Sequence, residues 1–224
     1  MRYLRFAAVA AFAISTHLSG GPVILTNNLT EPLLGLDTLS TTVWHAISFT
    51  TDNNAYTLDS VTLLMELGGV STNAPSLQSL IGNAAAQADI PEADLYSDSS
   101  GSPGTLITAL TAITSYDTTL QDVTFTAAGV TLLANSTYWV VLKATSGVVT
   151  WAYPTTNNGS GVGFTDVYAF SNTSGASWTV AGPGENPDQA EVIGDLAGVP
   201  EPSTLLLAGL GFLALAVSLR RRIV

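Results

Sequence analysis

The stretch Leu58-Asp59-Ser60-Val61-Thr62-Leu63-Leu64-Met65-Glu66-Leu67 puts Val61, Leu63, Met65 and Leu67 on one side of an extended chain. Thr62, Leu64 and Glu66 fall on the other. That two-residue period is the spacing of a half-buried β-strand, because successive side chains of an extended backbone point to opposite faces. Upstream, residues 43–50 repeat it, with Val43, Ile47 and Phe49 sharing a face with His45. Downstream, residues 106–110, 120–126, 137–143, 148–153, 165–170 and 178–181 are further short apolar or alternating runs. Turn signals separate them: Gly68-Gly69, Ser99 to Gly104, Asn157-Asn158-Gly159 and Ser174-Gly175. Many short strands without intervening helices predict an all-β fold, an antiparallel β-sandwich of jelly-roll type over residues 20–196. One stretch departs. Residues 74–90 are Ala-rich, and Ser76 could cap a short helix there, but Gly82 and Asn83 argue equally for an ordered loop.

Charge placement narrows the function. Of 224 residues, 46% are hydrophobic and only 10% charged, enough apolar material for one sizeable core. The basic residues are Arg2, Arg5, Lys143, Arg220, Arg221 and Arg222, so Lys143 alone stands between the two ends. Sixteen of the seventeen acidic residues lie from Glu31 to Asp195. A surface so acidic repels phosphate backbones, which excludes nucleic acid as a partner. The chain has no cysteine, so disulfides, zinc–thiolate sites and cysteine nucleophiles are excluded as well.

Both ends read as addresses. Residues 1–19 have the order of a secretory signal: Arg2 and Arg5, an apolar helix-forming run from Phe6 to Ile14, then small and polar residues. Cleavage fits after Ser15 or near Gly20. Residues 203–219 are apolar and uncharged and are followed by Arg220, Arg221 and Arg222. As a single transmembrane helix the segment is slightly short, since spanning takes about 20 residues, a mismatch that local thinning absorbs. The arginines then mark the cytoplasmic side and leave the domain outside, where the signal also sends it.

Just before that segment stands Val199-Pro200-Glu201-Pro202-Ser203-Thr204. Pro-Glu-Pro, an apolar helix and a basic end together resemble the PEP-CTERM protein-sorting domain of exported bacterial proteins, here over residues 199–222 within a C-terminal segment 197–224. The resemblance implies recognition by an exosortase, a membrane-embedded processing enzyme, in a host that makes exopolysaccharide. It implies a protein anchored in the membrane before processing and found at the cell surface or outside the cell afterwards. Physically, Pro200 and Pro202 hold the backbone around Glu201 extended, a form that a processing enzyme can grip. A second resemblance rests on residues 49–63, 95–104, 123–126, 132–142 and Trp151. Together they are similar to the choice-of-anchor R domain, over about residues 38–178 with 74–90 as an insertion. That family implies location and architecture, not an activity.

Candidate chemistry is sparse. His45 is the only histidine left once the signal, with His17, is removed, and no Gly-x-Ser-x-Gly elbow accompanies it. A packed, hydrogen-bonded histidine is the expectation. Carboxylates are plentiful, but no motif singles out a catalytic pair. The turn from Asp94 through Asp98 to Gly101 offers oxygen ligands for Ca²⁺ but lacks the Asp-x-Asp-x-Asp-Gly spacing, and a capped turn set by Pro103-Gly104 is the stronger reading. Among Trp44, Trp139, Trp151 and Trp178, with Tyr138 and Tyr153, Trp151 and Trp178 lie near turns and are the candidates for stacking on sugar rings. Tyr138 and Trp139 fall on opposite strand faces, so at least one should pack inside. The expectation is a non-enzymatic surface or matrix protein without a cofactor. A carbohydrate-binding module is the alternative, and a secreted hydrolase the third reading.

Overall fold

A computed structural model describes residues 21–68 and 89–197 of the chain. Alternation in the sequence becomes two antiparallel sheets packed face to face. The first runs in the order β1 (Pro22–Asn27), β14 (Ala190–Leu196), β4 (Tyr56–Leu67), β11 (Val149–Pro154), β2 (Leu33–Leu39). The short strands β7 (Thr111–Ala112), β8 (Gln121–Thr126) and β9 (Thr131–Leu132) join through pairings on β4 and β8. In the second the order is β13 (Thr179–Ala181), β12 (Phe164–Ser171), β3 (Trp44–Thr50), β10 (Thr137–Ser146), β5 (Ile90–Asp98), β6 (Pro103–Ala109). The described residues contain no helix. The predicted signal helix, the predicted membrane helix with its sorting motif, and most of the Ala-rich insertion lie outside them.

Strand β4 shows how pattern becomes packing. Val61, Leu63 and Met65 are buried, as their period requires, and so are Tyr56 and Leu58, which have the opposite parity. The pairing with β14 shifts between Ser60 and Leu58, so Asp59 is the extra residue of a bulge. That bulge resets the phase and lets both halves of a twelve-residue strand bury side chains in one core. The same core takes Leu25, Leu39, Trp151 and Val192 from the first sheet and Ile47, Phe49, Leu95, Val140 and Leu142 from the second. Gly147, at φ 68°, makes the turn that carries the chain from β10 in one sheet to β11 in the other.

The second sheet is buried on both sides along β10, which explains its unbroken Tyr-Trp-Val-Val-Leu run. Tyr138, Val140 and Leu142 face the core between the sheets. Trp139 and Val141 face outward, where they join Ala46 and Ala169 in a separate layer sealed by Trp44, Tyr96, Val167 and Trp178. Tyr138 and Trp139 do sit on opposite faces, and both are buried.

Candidate functional site

Two charged clusters flank the second sheet, and β3 positions one of them. His45 shares the face of Ile47 and Phe49 and therefore points between the sheets. Its Nδ1 lies 3.2 Å from Asp188 Oδ2 and 3.5 Å from Asp37 Oδ2. Asp37 comes from β2 at the edge of the first sheet, and Asp188 from the segment entering β14. The three ligand-type atoms all lie within 4.8 Å of one another. Tyr168 and Phe170 of β12 hold the imidazole with ring centroids 6.4 and 6.2 Å away.

The peptide carrying Asp188 is clamped. Asn28 Nδ2 donates to the carbonyls of Pro187 and Asp188 at 3.0 and 3.3 Å, and Asn28 Oδ1 accepts from Ala190 N at 2.7 Å. Gln189 Nε2 ties the carbonyls of Asn28, Leu29 and Glu31 at 3.2, 3.1 and 2.8 Å. Burial decides the electrostatics here. Asp188 is fully enclosed, which pushes its carboxyl up to about 7 against the pull of His45, with Asp37 adding to the rise. For His45 burial opposes the charged ring, but Asp188 and Asp37 outweigh it and hold the pKa above the ordinary histidine value. Asp37, His45 and Asp188 thus form one Asp–His–Asp group whose charges act on one another.

On the outer face of the same sheet Lys143 Nζ contacts Asp94 Oδ2 at 2.6 Å and Glu92 Oε1 at 3.0 Å, and lies 4.4 Å from the Trp44 ring centroid. Asp94 is completely buried, and desolvation raises its pKa despite Lys143. Asp98 does different work. Its Oδ1 accepts from Trp139 Nε1 at 2.8 Å and its Oδ2 from Gly101 N at 3.1 Å, with Ser100 and Gly101 at positive φ. That is a capped turn, as the Pro103-Gly104 reading expects.

The tryptophans divide. Trp151, a candidate sugar contact, is instead fully buried: β11 turns it toward the core between the sheets, and its Nε1 donates to Gln189 O at 2.9 Å. A ring in that position cannot stack on a ligand, and this corrects the expectation. Trp178 is half-buried beside Trp44, with centroids 6.4 Å apart and planes tilted by 59°. His45 is packed and hydrogen-bonded, as expected. Sequence reasoning missed Asp37 and Asp188 as its partners. The available signal was a lone histidine in an acid-rich, base-poor domain. Pro200, Glu201, Pro202 and Arg220 to Arg222 lie outside the described residues.

Compared with protein families, residues 198–222 match the PEP-CTERM protein-sorting motif. Comparison with curated proteins gives no match.

Proposed function

We propose that this is an exported bacterial protein that an exosortase-type enzyme processes at its PEP-CTERM tail. The product is a β-sandwich delivered to the cell surface or the surrounding exopolysaccharide matrix, acting there without enzymatic activity. The carrying observation is the sorting motif at residues 198–222, which marks a protein exported and held at the membrane before processing. The signal order of residues 1–19, the apolar run 203–219 and the closing arginines support one topology, with the sandwich outside. The choice-of-anchor R resemblance of residues 38–178 supports the same placement.

The test replaces Pro200, Glu201 and Pro202 with alanine in an exosortase-bearing host, followed by fractionation. The expected result is unprocessed chain retained in the membrane fraction and loss of the surface or released form. An unchanged distribution would refute the sorting role.

One observation favours a second reading, carbohydrate binding: Trp178 and Trp44 stand side by side, part-exposed, on the outer face of the second sheet. Here Trp178→Ala should abolish pull-down by the host polysaccharide. Equal retention of variant and parent removes that reading.

A further inference from the structure

We propose that Asp37, His45 and Asp188 form a binding site for a divalent transition-metal ion, with zinc as the probe of choice. Asp37 Oδ2, His45 Nδ1 and Asp188 Oδ2 lie within 4.8 Å of one another. Ligands about 2.0–2.2 Å from a tetrahedral ion sit roughly 3.3–3.6 Å apart, so the observed 3.2 and 3.5 Å to the imidazole nitrogen need little adjustment.

Rigidity comes next. The ligands sit on three separate segments drawn from both sheets. The clamp of Asn28 and Gln189 fixes the peptide of Asp188, while Tyr168 and Phe170 fix the ring. Such outer contacts orient ligands in metal sites.

Charge is the third element. Lys143 is the only lysine or arginine among the described residues, and it is engaged by Glu92 and Asp94 on the opposite face of the sheet. A dication supplies the counter-charge that the chain lacks here. The half-exposed Asp37 gives the ion a way in and leaves room for water at the remaining positions. An imidazole with two carboxylates selects zinc or manganese over the all-oxygen preference of calcium. The site is independent of the sorting tail.

The test uses full-length, tag-free chain in detergent, stripped with EDTA. Titration with ZnCl₂ at pH 7 should give one-to-one binding heat and a rise in melting temperature, and CaCl₂ should give neither. Asp37→Asn, which changes a half-exposed group, and His45→Gln should each weaken zinc binding at least tenfold. Glu92→Gln should leave it unchanged. Cobalt(II) should give visible absorption bands that Asp37→Asn shifts or removes. Absence of heat in the parent chain, a preference for calcium, or full binding by both ligand variants would overturn the proposal.

Discussion

On the outer face of the second sheet two carboxylates, Asp94 and Glu92, close on Lys143 at 2.6 and 3.0 Å. On its inner face two carboxylates, Asp188 and Asp37, close on His45 at 3.2 and 3.5 Å. Each cluster buries one aspartate almost completely. The difference lies in the cation. Lysine brings a permanent charge at neutral pH, and it rests on the Trp44 ring. Histidine brings a charge only when it holds a proton. In the outer cluster the chain itself therefore supplies the counter-charge of the buried Asp94. The inner one depends on protons or on an ion from solution. A buried acid is tolerated only where something offsets its charge, and the two faces of one sheet meet that need by different means.

The largest effect is expected from Lys143→Met, which leaves Asp94 buried without its partner. Stability should fall by about 3–5 kcal/mol, read by urea denaturation. A loss under about 1 kcal/mol would mean that lysine does not offset the charge of Asp94. Alkaline pH gives the next effect. Burial opposes the Lys143 charge, but Asp94 and Glu92 outweigh it and hold its pKa above 10.5. The folded state therefore keeps this proton longer than the unfolded chain. Its stabilisation is fully present below pH 10.5 and is lost as pH rises through the folded value. Between pH 10 and 12 the parent should lose more melting temperature than Lys143→Met does. Parallel decline of the two would contradict the assignment. The smallest effect is expected from Glu92→Gln, whose side chain is 36% exposed: a change of about 1 kcal/mol or less by thermal melting.

How much of this the sequence could reveal follows from the same physics. Strands β3, β4, β10 and β11 announce themselves because apolar residues recur on one face or crowd both. Strands β1, β2 and β14 do not. Gly35 and Asp37 interrupt β2, Gly194 and Asp195 interrupt β14, and a register shift between Ile24 and Thr26 breaks the alternation of β1, so pairing rather than periodicity holds them in the sheet. Strand β5 was hidden for a related reason. Asp94 reads as a solvated turn residue until Lys143, forty-nine positions away, is seen to neutralise it. The Asp–His–Asp group is less legible still. His45 could be picked out as the lone histidine, but its link to Asp188 spans 143 residues and no local spacing encodes it. Trp151 misled because nearness to a turn says little about which way a strand faces.

Export followed by processing at the C-terminal tail is the proposed route of this chain to the cell surface. The most direct measurement is intact mass spectrometry of the protein isolated from the native host. The predicted result is a chain that has lost the signal near residues 15–20 and ends close to the Pro200-Glu201-Pro202 motif. Recovery from the cytosol of a chain still carrying both Met1 and Val224 would contradict it.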